Sequence, residues 1–336
     1  MAAIASPDPI SLSEINNFTG ELFKVGSRRT PLLSMVGGLT GGKLINSPVF
    51  QTQLSAAPTL GAVTPGTEGA TPTYFGETRT STIDAVQIWN RGVKLTYSAL
   101  AAKGYLTSQA MESGTAAFEG SNPINDELAF QLEELLSVIA REVEAEFFDA
   151  TFNDGTDGNP REMRGLNEWL SVSNGAAVYD HDSNNDGTGD NQALDFDAIA
   201  ETLKLMYDNG APMSNPIVFC SPAAALDLNQ NLVKSGNVQM AVLPRDRNVA
   251  GVNIDSIITP FGNIGLAVDE HVTDNKAFIV DMSFLDVVFL NIPGKGGVFV
   301  EDTDNDDAAA ISKRVYMEIG LDKGPAQYHA KINGVA

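Results

Sequence analysis

Residues 122–152 read NPINDELAFQLEELLSVIAREVEAEFFDATF. Leu128, Leu132, Leu135, Ile139, Val143 and Phe147 recur at i+3 and i+4 spacing, which lays one apolar stripe along an α-helix. Asp126 and Glu127 suit the positive end of the helix dipole. Asp154-Gly155 is the expected stop. About 28 residues at 1.5 Å rise make a helix of ~42 Å, well beyond the mean for globular domains. Its stripe reads as core and not as a cofactor box.

Upstream of this helix the chain reads as extended. Lys43 to Leu54 is strand-like, and Thr82 to Ser98 is strand-like again, with Val93, Leu95 and Tyr97 alternating with Lys94, Thr96 and Ser98. Between them, Pro58, Pro65 and Pro72 with repeated Gly and Thr forbid a helix. Two arms of roughly a dozen residues each would reach ~40 Å. A lone two-stranded hairpin is marginal in water. The pair is therefore expected to lie across a neighbouring subunit, with Phe50, Ile88 and Trp89 as its apolar contacts and a tip, Pro58 to Phe75, that orders only on assembly. Residues 1–30 carry few apolar side chains. Ile15 to Phe23, after Ser13 as N-cap, reads as a short helix in an arm that packs on something else.

Downstream, residues 153–194 are loop-rich and 195–300 read as α/β. Phe196, Ile199, Leu203 and Met206 mark a helix, and IVFC (217–220) marks a buried strand. Ser221-Pro222 is an N-cap and N1 pair opening a second helix to about Val233, ended by Gly236. Strands are expected near 252–259, 263–268, 277–281, 286–290 and 297–301. After EDTDNDD (301–307), read as a solvated loop, Val315, Met317, Ile319 and Leu321 alternate. A turn at DKGP (322–325) then leads to Gln327–Ile332, read as a closing hairpin. The fold class is α+β.

Composition narrows the chemistry. The 336 residues carry 21 Lys+Arg against 43 Asp+Glu, a formal charge of −22. Such a surface does not grip DNA or anionic membrane along most of its extent. The single Cys, Cys220, excludes an internal disulfide framework. His181, His271 and His329 are too scattered in sequence to suggest a histidine centre. The opening MAAIASPDPI lacks a basic n-region and an apolar h-region, so no secretory leader is expected, and no apolar run approaches the ~20 residues of a membrane span.

Three motifs invite chemistry. GGLTGGKL (37–44) begins like a phosphate-binding loop, but Leu44 stands where Ser or Thr would hold Mg²⁺, and a β-like run follows in place of a helix. A bend is the better reading. Cys220, between a strand and a helix start, has no base near it in sequence and reads as a buried structural thiol. Asp182, Asn184, Asp186 and Asp190 around Gly187 match the first half of a calcium loop. Ala193 stands where the bidentate Glu belongs, and Asp195 is two residues late. This stretch reads two ways: as a weak Ca²⁺ site, or as a surface turn that uses the same residues for their backbone preferences. No cofactor is required by anything else in the sequence.

The order of segments resembles the major capsid proteins of tailed bacterial and archaeal viruses, the Hong Kong ninety-seven fold. Glu21-Leu-Phe23 followed by Thr30-Pro-Leu-Leu-Ser-Met-Val-Gly37 resembles the opening of one branch. Ile83 to Tyr97 is similar to the returning arm of the extended loop, 122–152 to the spine helix, Arg161-Glu-Met-Arg-Gly-Leu166 to the segment after it, and Asn215-Pro-Ile-Val-Phe-Cys-Ser-Pro222 to a strand and helix of the axial domain. The resemblance implies an N-terminal arm at 1–45, an extended loop at 46–100, a peripheral domain from 101–194 and 301–336, and an axial domain at 195–300. It implies a non-enzymatic subunit that assembles through hexamers and pentamers into an icosahedral shell around double-stranded DNA, in the host cytoplasm and then in the virion. Expected partners are a scaffolding protein, separate because the arm is short, a portal, and optionally a cement or decoration protein. Residues 46–93 hold no lysine, so the covalent lysine cross-link of the founding member is not expected. An encapsulin-like compartment shares the fold and is the first alternative. A secreted calcium-binding adhesion or stalk protein is the alternative from another class.

Overall fold

The computed structural model describes residues 29–55, 66–69, 71, 76, 79–97, 127–156, 158–181, 192–234, 243–249, 252–272, 275–303 and 309–335. The helix expected at 15–23, most of the tip of the extended loop and the Asp182–Asp190 stretch lie outside these residues. The chain divides into a larger unit, Arg28–Asn90, Val138–Phe299 and Tyr316–Ala336, and a smaller one, Met1–Ser27, Arg91–Ser137 and Val300–Val315.

The larger unit is organised by a mixed seven-stranded sheet. In chain order its strands are β5 (Ala177–Asp180), β6 (Pro216–Cys220), β7 (Leu243–Val249), β8 (Val252–Thr259), β9 (Gly262–Val268), β10 (Asn275–Asp281) and β14 (Ala330–Val335). In space they run β5-β14-β10-β6-β9-β8-β7. Every residue of β6 is buried, and the period-2 alternation of a strand sorts its side chains onto two faces. On one face Val218, Cys220, Ala277 and Ile279 join Ile199, Leu203, Met206, Ala224 and Leu228 in a single core. Those last five come from helices α4 (Phe196–Asp208) and α5 (Pro222–Lys234). On the other face Phe219 and Phe278 meet Phe148 at ring-centroid distances of 5.9 and 5.5 Å. Fully burying each such side chain stabilises the fold by about 1.5–3 kcal/mol.

Phe148 belongs to helix α2, Glu127–Asp149. The stripe read from the sequence is present, and Ile139, Val143 and Phe147 are fully buried. The stop differs from expectation. The helix ends before Asp154-Gly155 because the returning chain docks on its last turn. Gly165 donates its N–H to the Ala150 carbonyl at 2.8 Å, and a Cβ there would lie 2.6 Å from the Ala150 nitrogen. Short helix α1 (Pro31–Met35) precedes all of this, with Leu32 and Leu33 buried. Another short helix, α3 (Leu166–Trp169), follows Gly165.

The helix starts obey the sequence. Asp195 caps α4 by accepting the Ala198 N–H at 2.7 Å, and Ser221 Oγ accepts the Ala224 N–H at 3.2 Å at the head of α5.

The remaining strands form two further sheets. β2 (Val49–Ser55) pairs antiparallel with β3 (Arg79–Ala85) from Val49↔Ala85 to Ser55↔Arg79. A second sheet runs β1 (Lys43–Ile45), β11 (Asp286–Leu290), β13 (Ala310–Asp322), β12 (Val298–Asp302), and β4 (Gln87–Thr96) also pairs with β13. Two expectations are corrected here. The segment read as one strand from Thr82 breaks at Val86, and its halves serve different sheets: Val86 N–H still meets the Pro48 carbonyl at 3.0 Å in the register of Val49↔Ala85, but Pro48 has no N–H to return, and the pairing with β2 ends there. The segments read as a closing hairpin do not pair with each other. β13 joins β11 and β12, while β14 joins β10 and β5. Strands outside 195–300, namely β5 and β14, thus complete the seven-stranded sheet, and β11 from within that range lies in the other.

In the smaller unit, Thr303 N–H reaches the Ser312 carbonyl at 3.1 Å and Tyr97 N–H the Ala309 carbonyl at 3.2 Å. Lys313 pairs with Asp302 at 3.1 Å and Arg314 with Glu301. Among the described residues, no helix is long and apolar enough to cross a membrane.

Candidate assembly surface

The β2–β3 hairpin is the element that the sequence marked for contact. Its burial is graded. Asp84, Ala85 and Val86 at the root are 7, 1 and 0 % exposed, while Arg79, Thr80 and Ser81 at the far end are exposed.

The root is held by a buried ion pair that the sequence did not reveal. Lys323 Nζ lies 3.0 Å from Asp84 Oδ2 and also donates to the carbonyls of Arg164 at 2.7 Å and Leu321 at 3.1 Å. All three ammonium hydrogens are therefore satisfied. Burial pushes the Asp84 carboxyl up and the Lys323 ammonium down, and each partner's charge opposes the other's shift. Around this pair, Asp322 accepts from Thr52 Oγ1 at 3.3 Å and from Lys43 Nζ at 3.2 Å, and Lys43 also reaches Asp286 at 2.6 Å. A Cβ on Gly320 would press on the Ala85 carbonyl at 3.1 Å and on Val86 Cγ1 at 3.2 Å, so only glycine lets the hairpin root cross β13 this closely.

The three residues read as interface anchors separate. Ile88 is 45 % exposed, and Ile83 on β3 is 44 % exposed. Phe50 is half-buried, its ring against Gly320. Trp89 is 5 % exposed. It packs within its own subunit and offers little surface to another, a correction that follows from the break at Val86. Ile83 was missed because it sits among Thr and Ser in the pattern.

Among the described residues, each chemically suggestive side chain is engaged in structure. Lys43 stands on strand β1 in ion pairs, with no helix following to face a phosphate. Cys220 is fully buried, and burial pushes its thiol up to about 12, so no thiolate forms near neutrality. His329 is fully buried and neutral. Its Nδ1 accepts the Asp281 N–H at 3.1 Å, so Nε2 carries the hydrogen given to the Lys323 carbonyl at 2.7 Å, and burial drives its pKa down to about 4. Asp281 in turn accepts N–H groups of Ser214, Asn215 and Ser283 at 2.7, 3.1 and 3.0 Å. His181 bonds the Ala193 carbonyl at 3.2 Å.

Asp182, Asn184, Asp186 and Asp190 lie outside the described residues, but the two ends of their stretch are placed. His181 N–H donates to the Asn333 carbonyl at 2.9 Å and Gln192 N–H to the Gly334 carbonyl at 2.8 Å. His181 and Gln192, which flank that stretch, are therefore both anchored at the same end of β14. Among the described residues no group of three or more His, Cys, Asp or Glu could hold a metal.

A second buried acidic centre also escaped the sequence. Glu144 on α2 is fully buried, and its two oxygens accept the N–H groups of Leu32 and Leu33 at 2.7 and 2.6 Å. It is hydrogen-bonded to Asp269, which is 1 % exposed.

The family model described as SU10 major capsid protein matches residues 6–336. No curated protein matches the chain. Among solved structures, the capsid of cyanophage A-1(L) aligns with a TM-score of 0.61 at 11 % identity, covering 97 % of this chain and 99 % of that one. The capsid of cyanophage P-SCSP1u gives 0.53 at 13 %, covering 95 and 92 %. The SrpI encapsulin of Synechococcus elongatus gives 0.54 at 12 %, covering 87 and 84 %. At such identities the likeness is one of fold: the mixed helix-and-sheet architecture is that of Hong Kong ninety-seven-like capsid proteins.

Proposed function

The chain belongs to the SU10 major capsid protein family, and from that premise we propose that its copies join as hexamers and pentamers into an icosahedral shell around double-stranded DNA. It is a structural capsid subunit that self-associates into a shell, and its place is the virion. The family match over nearly the whole chain carries the reading, and it favours a virus capsid over the encapsulin-like alternative. The adhesin alternative finds no support in the architecture.

Residues 1–45 serve as the arm and 46–100 as the extended loop. The seven-stranded sheet with α4 and α5 serves as the axial domain, extended beyond 195–300 by β5 and β14. The rest of 101–194 and 301–336, with α2, serves as the peripheral domain. A hairpin fixed at its root by Lys323 and exposed at its far end is suited to lie on a neighbour, with Ile83 on β3 and Ile88 on the adjoining β4 as contacts. The charge of −22 lets a shell enclose DNA without adhering along its whole inner wall. Assembly proceeds in the host cytoplasm with a separate scaffolding protein and a portal, and a decoration protein is an optional addition. Ca²⁺ at Asp182, Asn184, Asp186 and Asp190 would strengthen the particle weakly.

The test is electron microscopy of the purified recombinant chain, with and without chelator. Closed shells or hexamer and pentamer rings are expected, which boiled detergent resolves into single chains of 35.7 kDa. A strictly monomeric species at high concentration overturns the reading. Covalent ladders overturn its non-covalent part. Melting that ignores both chelator and added Ca²⁺ reduces the 182–190 stretch to a turn.

A further inference from the structure

Glu144 and Asp269 meet carboxyl to carboxyl inside the larger unit. Glu144 gives both oxygens to α1, accepting Leu32 N–H at 2.7 Å and Leu33 N–H at 2.6 Å. Asp269 Oδ1 accepts the His271 N–H at 2.9 Å, while its Oδ2 is buried with no donor other than a protonated carboxyl in reach. Among the described residues, no lysine or arginine stands within ion-pair distance of either carboxyl. Two ionised carboxylates in hydrogen-bonding contact, 0 and 1 % exposed, would repel strongly at low local dielectric. A hydrogen bond between them requires a proton on one of them.

We propose that a single proton shared by Glu144 and Asp269 is the bolt that fastens α1 to α2 and to the loop after β9, and that alkaline conditions withdraw it and release α1. Three chain segments distant in sequence meet at this point: α1 through its backbone, α2 through Glu144, and the β9 exit through Asp269. The charges acting on the pair come from that same loop. His271 favours the ionised form of Asp269 and Glu270 opposes it, while α1 contributes only N–H groups. Burial is the first cause raising both carboxyls above the ordinary carboxylate range.

The sign follows directly. The unfolded or released segment sheds these protons as pH passes through the ordinary range, whereas the fastened state retains one. The fastened state is thus favoured in acid and loses ground as pH climbs through neutrality. Asp269→Asn is the informative variant. Its Oδ1 can still accept from His271, and its Nδ2–H supplies permanently the hydrogen that the proton supplies in the wild type.

The experiment uses the full-length chain. Amide hydrogen exchange at Leu32 and Leu33, corrected for intrinsic rate, is followed from about pH 5 to about pH 9, with Ile279 in β10 as control. Wild-type protection at Leu32 and Leu33 is expected to fall about tenfold or more while Ile279 holds, and Asp269→Asn is expected to be flat. Infrared difference spectra should show a buried protonated carboxyl near neutral pH in the wild type that Asp269→Asn lacks. Wild-type protection independent of pH, the same decline in Asp269→Asn, or no protonated carboxyl overturns the proposal. If Asp269→Asn does not fold, the wild-type infrared band and exchange profile decide it.

Discussion

Two buried carboxylates anchor two segments of the larger unit, and they are neutralised by different means. At the hairpin root Asp84 faces the ammonium of Lys323, 3.0 Å away. At the α1 anchor Glu144 faces another acid, Asp269. The first arrangement carries its counter-charge in a side chain whose three hydrogens are all placed. The second takes its counter-charge from solvent as a proton. A lysine-neutralised root should therefore hold across the neutral range, whereas a proton-neutralised anchor responds to pH. The element with the permanent lock is the one that carries the candidate contact residue Ile83, and Ile88 follows it on β4.

The largest effect that tests this contrast comes from Lys323→Met. Removing the lysine leaves Asp84 buried without its charge partner, with its Oδ1 already lacking a hydrogen bond. Breaking a buried pair from one side costs about 3–5 kcal/mol. Denaturant unfolding should register that loss, and exchange protection in β2 and β3 should collapse first. The double variant Asp84→Asn/Lys323→Met should recover much of it, because the uncompensated charge is gone. A single variant as stable as wild type would mean that the root is held by packing at Gly320 and Val86 alone, and the contrast would fail.

A second, smaller effect works from the acid side. His329 lies six residues beyond Lys323 and donates to the Lys323 carbonyl. Its pKa falls from 6.5 to about 4 on folding. Above about pH 6.5 both states are neutral at this residue and nothing is lost. As pH drops from there to about 4, the unfolded chain binds a proton that the folded chain refuses, so stability declines by about 3 kcal/mol. His329→Gln, which can offer an acceptor and a donor, should show a shallower decline in melting temperature between about pH 7 and about pH 4.5. Acid therefore loosens the segment behind the hairpin root while it favours the α1 anchor. Equal slopes in the two proteins would remove His329 from the account.

How much of this was legible in the sequence depends on the distance over which each signal acts. Local signals were legible. The stripe from Leu128 to Phe147 gave α2, the spacing of Phe196, Ile199, Leu203 and Met206 gave α4, Ser221-Pro222 gave the start of α5, and β8 through β12 were placed within a few residues. Those cues act within one or two turns or between adjacent side chains. Pairing choices were not legible. β13 and β14 alternate like the arms of a hairpin, yet each is claimed by a different sheet. Nothing local distinguishes the break at Val86 from a continuing strand. The buried charges were the least legible. Lys323 lies in DKGP, a turn by every local cue, and its partner is Asp84. Glu144 lies among helix-surface glutamates in REVEAEFF, and its partners are 112 residues upstream and on the loop after β9. A residue type signals burial only when its neighbours in space are known.

The smallest expected effect sharpens the contrast most closely, because it acts on the same turn as Lys323. Lys43 binds Asp286 at 2.6 Å and Asp322 at 3.2 Å, and Asp322 also takes the Thr52 hydroxyl on β2. By distance alone this network looks as strong as the Asp84–Lys323 pair one residue further on. Its setting differs: the Lys43 side chain is 57 % exposed, against 1 % for Lys323. Water already solvates much of the Lys43 ammonium and screens its attraction, and fixing a long side chain costs entropy. Exposed pairs of this kind contribute about 0–1 kcal/mol. Lys43→Ala should accordingly cost no more than about 1 kcal/mol, and that cost should shrink further as salt is raised. The Lys323→Met loss should be nearly indifferent to salt, since a pair closed to solvent is closed to counter-ions. If Lys43→Ala proved as damaging as Lys323→Met, with the same insensitivity to salt, the root would be held by one cooperative cluster spanning Asp84, Asp286 and Asp322, and burial of a single pair would no longer explain why the hairpin is fixed at one end.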